Sequence, residues 1–237
     1  MRKTIDWCNG PPSMPTAMVT GANRGIGLET VRQLLDRDYE VHATYREKKG
    51  GLADISNPRL VLHKMDVRST DDVRVAMSGV GPSLDLLVNN AGVSDGRWSS
   101  IAEIDFDIVS DVMEVNAIAP VRVTQHALPL LANGRGTVLM ITSLMGSIGD
   151  CASGRSYAYR ASKTALNMFT TAMKNELREK GVGLLLIHPG WVETDMGGPN
   201  APIQAKESVS GIMARIDEQT LDMTGRFVDY AGNILPW

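Results

Sequence analysis

The stretch Thr20-Gly21-Ala22-Asn23-Arg24-Gly25-Ile26-Gly27 separates a short apolar run from a longer amphipathic one. Its glycines permit a tight turn between a buried strand and a helix. Backbone N–H groups in such a turn, and the N-terminus of the helix, attract a pyrophosphate. The spacing is Gly-x-x-x-Gly-x-Gly rather than the common Gly-x-Gly-x-x-Gly, and the stretch lacks the Lys-Ser/Thr ending of a P-loop. We predict a dinucleotide-binding strand–turn–helix unit, with an ordinary glycine-rich turn as the alternative.

Apolar and amphipathic runs continue to alternate along the chain. The predicted strands are Thr16–Thr20, Glu40–Tyr45, Leu60–Met65, Leu84–Asn89, Thr137–Thr142, Gly183–His188 and Arg226–Tyr230. The predicted helices are Gly25–Arg37, Thr70–Ser78, Glu103–Leu131, Ser156–Lys180 and Ala205–Asp217. This alternation indicates an α/β fold, a doubly wound parallel sheet with helices on both faces. Residues 16–237 are predicted to form one domain, because no change in composition divides them, and the Pro/Gly-rich residues 1–15 a flexible leader.

Composition excludes several classes of function. The 237 residues carry a net charge of −3 with mixed signs, so no basic surface indicates nucleic acid or an anionic membrane as a partner. The four histidines and two cysteines lack metal-ligand spacing. No apolar run is long enough for a signal peptide or a membrane span. We therefore expect a cytoplasmic protein with reduced thiols and no resident metal.

The end of the second predicted strand indicates which dinucleotide is bound. Folds that bind NAD place a carboxylate about 20 residues after the glycine turn, whereas arginine there accommodates the 2′-phosphate of NADP. Arg46 lies at that place, and Arg24 in the turn can reach the same phosphate. Glu47 follows directly, which leaves NAD open as the alternative. We predict NADP(H).

Polar and small residues follow the other predicted strands. The carboxyl ends of parallel strands share one edge of the sheet, where ligands bind. The residues placed there are Asp66, Val67, Asn90, Ala91, Gly92, Pro189, Gly190, Val192 and Thr194. Asp66 could accept a hydrogen bond from an adenine amine or could cap the next helix, for which Ser69 or Thr70 is better placed.

Tyr159 and Lys163 are four residues apart in a predicted helix, so they lie on the same face. A free tyrosine titrates near pH ~10, and a pKa near 7 requires about 4 kcal/mol of preference for the phenolate. A fixed cation at roughly 4–5 Å supplies an energy of that size. The pair can therefore act as a general acid/base, although such pairs also occur by chance on surface helices.

Two further polar residues are candidates for the same chemistry. Pro120 has no N–H to donate to the carbonyl of Asn116, so the helix should bend there. The unpaired carbonyl either reflects packing alone or holds a water in a proton path. Ser143 follows the fifth predicted strand and can orient a carbonyl oxygen or serve as a turn residue. No Gly-x-Ser-x-Gly sequence indicates a hydrolase.

Taken together and in this order, these motifs resemble the short-chain dehydrogenase/reductase family, from Thr16 to about Tyr230. The segments 188–198 and 226–237 resemble C-factor and sniffer-type carbonyl reductases. The resemblance implies a Rossmann-type sheet of seven parallel strands in the order 3-2-1-4-5-6-7. It implies a homodimer or homotetramer, paired through the Glu103–Leu131 and Ser156–Lys180 helices.

The resemblance also implies the roles of the site residues. Tyr159 would protonate the substrate oxygen, Lys163 would lower the tyrosine pKa and hold the nicotinamide ribose, Ser143 would orient the carbonyl and Asn116 would hold a relay water. The expected cofactor site comprises Gly21, Asn23, Arg24, Gly25, Ile26, Gly27, Arg46, Asp66, Val67, Asn90, Ala91, Gly92, Tyr159, Lys163, Pro189, Gly190, Val192 and Thr194. Tyr157 lacks a lysine four residues on, since Ala161 occupies that place.

The expected activity is NADPH-dependent reduction of an aldehyde, ketone or quinone. The alternatives are oxidation of an alcohol by NAD(P) and a cofactor-binding signalling or redox-sensing protein with little turnover. The interval from Ser143 to Tyr159 is 16 residues, longer than is usual in the family. Residues 149–155 form an apparent insertion that should lie beside the substrate, so the substrate itself is not implied by the resemblance.

Overall fold

The computed structural model describes residues 14–95, 98, 100–152 and 154–237. The predicted flexible leader falls mainly outside these residues. At its boundary, the carbonyl of Pro15 accepts a 2.9 Å hydrogen bond from the N–H of Glu40. The bonding pattern of the sheet therefore reaches one residue before the predicted domain start.

The described residues contain a seven-stranded parallel sheet in the order β3-β2-β1-β4-β5-β6-β7. The strands are β1 Thr16–Val19, β2 Glu40–Tyr45, β3 Leu60–Lys64, β4 Leu86–Asn89, β5 Thr137–Ile141, β6 Gly183–His188 and β7 Arg226–Asp229. The predicted α/β class, Rossmann-type sheet and strand order are confirmed. Where predicted and observed strand ends differ, they differ by one or two residues, as fraying ends usually do.

The helices are α1 Gly25–Asp36, α2 Thr70–Ser78, α3 Phe106–Met113, α4 Ala119–Gly134, α5 Tyr157–Glu179 and α6 Ala205–Asp217. Short 3₁₀ turns occur at Gly50–Asp54, Ile101–Glu103, Leu144–Gly146 and Leu221–Met223. Among the described helices, none has both the length and the apolar composition that spanning a bilayer requires.

The predicted helix from Glu103 to Leu131 is observed from residue 106 to residue 134, as α3, a π turn and α4 that follow one another without a break. Asp105 caps α3 through the N–H groups of residues 107 and 108, and a π turn, Glu114–Ile118, joins α3 to α4. The N–H of Ala119 bonds to the carbonyl of Glu114, five residues back. Because Pro120 cannot donate to the carbonyl four residues before it, the chain widens by one residue at this point.

Apolar side chains alternate between the two faces of the central strands, as period-two geometry requires. Met18 points into a core covered by α2, α4 and α5, whereas its neighbours Ala17 and Val19 point into a core covered by α1 and α6. All three side chains are fully buried. Helices on both faces leave the carboxyl edge of the sheet as the place where strand-end side chains converge.

Candidate active site

A cleft of about 810 Å³ opens at the carboxyl edge of the sheet. Every predicted site residue borders it except Gly27 and Asn116. The motifs, dispersed between residues 21 and 194, are therefore brought together by the convergence of the parallel strands.

The glycine turn has a backbone that larger residues would disrupt. Gly21 and Gly25 have φ angles of +62° and +55°, in the left-handed region. A Cβ added to Gly21 would lie 2.8 Å from the Cα of Ala91. A Cβ added to Gly27 would lie 2.4 Å from Nδ2 of Asn90 and 2.6 Å from the Gly21 carbonyl. Gly27 thus shapes the turn from behind and does not itself border the cleft.

Asn90 holds the glycine turn in place. Its Nδ2 donates to the carbonyls of Thr20 and Gly21 at 2.9 and 3.0 Å. The hydroxyl of Thr20 accepts from the N–H groups of Asn90 and Ala91, both at 3.0 Å. The side-chain amide of Asn90, which was predicted to bind the cofactor, therefore supports the glycine turn. Its partner is Thr20, which begins the quoted stretch but was not among the predicted site residues.

Charged side chains border the part of the cleft beside the glycine turn and the end of β2, called here the outer end. Arg24 pairs with Asp195 across it at 2.8 Å, and both side chains are more than 70% exposed. The Nε of Arg46 lies 3.3 Å from Glu47, so the alternative carboxylate lies beside the predicted arginine. Lys48 also borders the cleft and was not predicted, although it follows directly in the sequence. Three cations thus border this end of the cleft.

The carboxylate of Asp66 is held by the arginine two residues on. Arg68 donates to it from Nη2 at 2.8 Å and from Nε at 3.2 Å, and these hydrogen bonds lower the pKa of Asp66. Ser69 is the N-cap of α2, through a 3.1 Å bond from the N–H of Asp72. Asp66 is therefore an ionised hydrogen-bond acceptor at the cleft, and Ser69, as expected, is the residue that caps α2.

Tyr159, Lys163 and Ser143 meet on the inner wall of the cleft. Lys163 and Ser143 are 5% and 7% exposed. The Lys163 Nζ lies 5.8 Å from the centre of the Tyr159 ring and donates to the carbonyl of Ile141 at 2.9 Å. Ser143 is hydrogen-bonded to Tyr159, and as the N-cap of the Leu144–Gly146 turn it also accepts from the N–H of Met145. Both sequence-based interpretations of Ser143, carbonyl orientation and turn residue, fit its position.

The pKa of Tyr159 moves in the direction opposite to the expected one. Burial raises it most, the hydrogen bond with Ser143 lowers it, and the charge of Asp95 raises it. Burial also lowers the pKa of Lys163 to about 8. Desolvation disfavours the charged form of each group. At neutral pH this environment therefore favours the phenol together with the ammonium.

The side chain of Asn116 is fully buried, behind the cleft. Its Nδ2 donates to the carbonyl of Val93 and to the hydroxyl of Ser162, and its Oδ1 accepts from the N–H of Val93. These bonds tie the π turn to the loop after β4 and to α5. The predicted relay water would therefore have to bind the main chain of Asn116, because the side-chain amide already bonds to Val93 and Ser162.

Several residues that support or border the cleft were not predicted. Asp95 supports it: this side chain is 9% exposed and accepts a 3.0 Å hydrogen bond from the N–H of Tyr159. Others border the cleft itself, namely Ser94, Leu144, Met145, Asp150, Ser156 and Arg160. They belong to loops or first turns without a periodic signal, and only the position of residues 149–155 as an insertion near the substrate indicated one of them. Ser153 of that insertion lies outside the described residues. In the part of the chain that the structure covers, no group of three His, Cys, Asp or Glu residues is placed to hold a metal ion.

The glycine turn and the cleft fit a dinucleotide. Left-handed glycines bring backbone N–H groups close to the cleft, and cations border the end where phosphates would lie. The fold and this site define a Rossmann-type nucleotide-binding protein with a Ser–Tyr–Lys set. The chain belongs to the short-chain dehydrogenase family, whose model, "short chain dehydrogenase", matches residues 15–204.

Two curated relatives illustrate the breadth of this family. The C-signal of Myxococcus xanthus is 45% identical over 158 residues, which span 66% of this chain and 94% of the relative. The 1-hydroxy-2-glutathionyl-2-methyl-3-butene dehydrogenase of Rhodococcus sp. (strain AD45) is 34% identical over 233 residues, spanning 94% of this chain and all of the relative. The predicted family is thereby confirmed, as is the likeness to C-factor.

Solved structures confirm the likeness to carbonyl reductases. The carbonyl reductase Sniffer of D. melanogaster superposes with a TM-score of 0.90 at 29% identity, over 94% of this chain and all of that one. The NADPH-bound carbonyl reductase from chicken fatty liver superposes with a TM-score of 0.87 at 33% identity, over 94% and 99% of the two chains.

Proposed function

We propose that this protein is an NADPH-dependent carbonyl reductase that converts an aldehyde, ketone or quinone to an alcohol. The observation that carries the proposal is that Tyr159 lies in the cleft that the glycine turn borders. There it is hydrogen-bonded to Ser143 and lies one helical turn from Lys163. A proton donor, a carbonyl-orienting hydroxyl and a nucleotide-binding turn in one cleft are what carbonyl reduction requires.

The cofactor is NADP(H). Arg24, Arg46 and Lys48 border the outer cleft and supply positive charge for a 2′-phosphate. Arg46 forms an ion pair with Glu47 at the surface. Such a pair contributes little to stability, so Arg46 can exchange it for a contact with a phosphate. The solved structure of the chicken carbonyl reductase, 33% identical to this chain, contains NADPH. When bound, the reduced nicotinamide supplies the hydride that is added to the carbonyl carbon.

Tyr159 protonates the substrate oxygen in this proposal. Because its pKa is raised, the phenol is protonated at neutral pH and is available as the acid. Ser143 donates a hydrogen bond to the same oxygen. Lys163 is an ammonium below its pKa of about 8, so at neutral pH it stabilises the phenolate that remains after proton transfer. It also binds the nicotinamide ribose.

The proton lost by Tyr159 is replaced through a path that runs past Lys163 to the main chain of Asn116. The bonds from the Asn116 side chain to Val93 and Ser162 hold the π turn against α5. This arrangement leaves the backbone of the turn as the site for a relay water, since π turns recur at functional sites.

We also propose that the protein is a cytoplasmic homodimer or homotetramer. Phe106 and Ile108 on α3 and Met168 and Phe169 on α5 are exposed apolar side chains on helices that the family uses for pairing. Light scattering of the wild type and of Met168→Glu would test the assembly, and a monomeric wild type would contradict it. Cell fractionation would test the location.

A second candidate is oxidation of an alcohol by the same residues. It is favoured by the name of the Rhodococcus relative, a dehydrogenase 34% identical over nearly the whole chain. The steps are the same in reverse, with Tyr159 as the base. A third, a cofactor-dependent signalling or sensing protein with little turnover, is favoured by the likeness to the C-signal. Full retention of the Ser143, Tyr159 and Lys163 geometry argues against it, because binding alone does not need a proton donor.

The deciding experiment follows NADPH oxidation, with NADH in parallel, against a panel of aldehydes, ketones and quinones. Tyr159→Phe should lose about 10²–10⁴-fold in rate while it retains NADPH affinity. Tyr157→Phe is the matched control, because this neighbouring tyrosine is exposed and has no lysine partner. Full turnover by Tyr159→Phe would remove it from the mechanism. NADPH binding without turnover in the wild type would favour the sensor.

A further inference from the structure

The segment Ser147–Asp150, called here the wall loop, follows the Leu144–Gly146 turn and borders the cleft at Asp150. Gly146, the residue directly before it, is anchored to α5 just beyond Lys163. The Thr164 hydroxyl and the Asn167 Nδ2 donate to the carbonyl of Gly146 at 3.0 and 3.3 Å. The start of the wall loop is therefore tied to the helix that carries the proton donor.

The outer side of the wall loop is held by Trp237, which lies 90 residues after Ser147 in the chain. The main-chain carbonyl of Trp237 accepts from the N–H of Gly149 at 2.9 Å and from the hydroxyl of Ser147 at 3.1 Å. The Ser147 oxygen in turn accepts from the N–H of Asp150 at 3.1 Å. Ser147 is 1% exposed, so these bonds satisfy a polar group that water does not reach.

Trp237 is itself fixed to the sheet. Its ring packs on that of Phe227 in β7, with centroids 5.4 Å apart and planes tilted by 37°. Two residues earlier, the N–H of Leu235 donates to the Phe227 carbonyl at 2.9 Å. Phe227 is 2% exposed and belongs to the core under α5. A continuous series of contacts thus runs from the core through Trp237 and Ser147 to Asp150 at the cleft.

We propose that Trp237 is a positioning residue that holds the wall loop as one side of the carbonyl-substrate site. This inference rests on the proposed function for the identity of the substrate class. The contacts of Trp237 lie on the wall loop and β7, away from the glycine turn and from Arg46. Loss of the contact therefore releases the wall loop and weakens substrate binding, and it leaves nucleotide binding intact.

The test compares Trp237→Ala, Trp237→Phe and Ser147→Ala with the wild type. Hydrogen exchange at the amides of Gly149 and Asp150 measures the wall loop directly and requires no turnover. Trp237→Ala keeps the main-chain carbonyl but removes the ring that fixes it on Phe227, and Ser147→Ala removes the hydroxyl donor, so both variants should exchange faster there. Each should raise KM for the carbonyl substrate by up to about fivefold, the change that loss of one hydrogen bond of roughly 1 kcal/mol corresponds to. The NADPH Kd should stay unchanged. Trp237→Phe keeps an aromatic ring to pack on Phe227, so its exchange rates and KM should stay close to those of the wild type. Ile234→Ala is the control, because that side chain is 77% exposed.

Unchanged exchange at Gly149 and Asp150 in both Trp237→Ala and Ser147→Ala would overturn the proposal. Faster exchange with an unchanged KM would overturn the positioning role, and so would a parallel rise in KM and NADPH Kd, which indicates general loosening. Should the wild type reduce no carbonyl at all, the proposed function fails and the substrate role of Trp237 fails with it. Exchange would then still report separately whether Trp237 holds the wall loop.

Discussion

The carboxylate of Asp95 accepts a 3.0 Å hydrogen bond from the main-chain N–H of Tyr159, 64 residues further along the chain. Ser156, at the N-cap of α5, makes no capping bond with its side chain. Asp95 therefore caps the first turn of α5 from the loop after β4. The same carboxylate raises the pKa of the Tyr159 phenol. One residue thus holds the position of the proposed proton donor and also affects its acidity.

Two substitutions separate these effects. Asp95→Asn keeps an acceptor oxygen but removes the charge, so the pKa of Tyr159 should fall, and the absorbance of its phenolate should appear at lower pH in a spectrophotometric titration. Asp95→Ala also removes the cap and should cost about 1 kcal/mol in the free energy of unfolding. An identical phenolate titration for Asp95→Asn and the wild type would show that the charge does not act on Tyr159.

Lys163 should make the reaction dependent on pH near 8. Burial lowers its pKa to about 8, so the ammonium is present below that pH and is lost above it. We expect reductase activity to decline above about pH 8, as measured by initial rates at saturating NADPH. Lys163→Ala should lose about 10²–10⁴-fold in rate and also bind NADPH more weakly. Unchanged NADPH affinity would remove its ribose-binding role.

Arg46 should discriminate between the two cofactors. Arg46→Ala removes a cation that borders the outer cleft, and we expect NADPH to bind about tenfold more weakly, the low end for a charge-assisted contact at an exposed site. NADH, which has no 2′-phosphate, should bind as before in a fluorescence titration. Arg74→Ala, an exposed arginine on α2, is the control. Equal losses for both cofactors would contradict the assignment.

Gly27→Ala should destabilise the protein and weaken NADPH binding. The new Cβ would lie 2.4 Å from Asn90 Nδ2 and 2.6 Å from the Gly21 carbonyl. Overpacking of about 1–3 kcal/mol outweighs a helix-propensity gain of at most about 1 kcal/mol. Gly51→Ala provides the comparison, because its Cβ would meet the movable tip of Leu28 at 2.3 Å. Urea unfolding and NADPH titration measure both effects, and equal stabilities of the two variants would refute the packing argument.

Acid should weaken the fold before the carboxylates titrate. Nδ1 of His42 and Nε2 of His63 lie 2.8 Å apart between β2 and β3, and burial together with His42 lowers the pKa of His63 below its usual 6.5. Below pH 6.5 the unfolded chain therefore binds a proton that the folded chain resists, so stability is full above that pH and falls as the pH drops towards the folded pKa. Asp66, with an ordinary pKa of 3.8 that is lowered further, acts only at more acid pH. Urea unfolding at pH 7.5 and 5.5 should show the loss, and His63→Gln should reduce it. A loss of the same size in His63→Gln would assign it to other groups.

Part of the candidate site could be predicted from local sequence. The glycine turn depends on spacing within eight residues, and the shared face of Tyr159 and Lys163 depends on the helical period. The helix predicted over 103–131 is present from 106 to 134, but its apolar periodicity gives no sign of the π turn Glu114–Ile118, which the missing N–H of Pro120 produces. The sequence predicted that Pro120 would bend the helix, but it could not show that the distortion takes the form of a π turn.

The sequence by itself determined the α/β class and the polar residues that follow the strands at one edge of the sheet, because these follow from short-range spacing, and its motifs in their order carried the resemblance to the family. Tertiary structure alone decided the environment of those residues. Burial and Asp95 raise the pKa of Tyr159 where the Tyr–Lys spacing had indicated a lowered one. Trp237 reaches Ser147 across 90 residues. Desolvation and long-range hydrogen bonds arise from how separate segments pack, and the spacing of residues within one segment carries no signal for them.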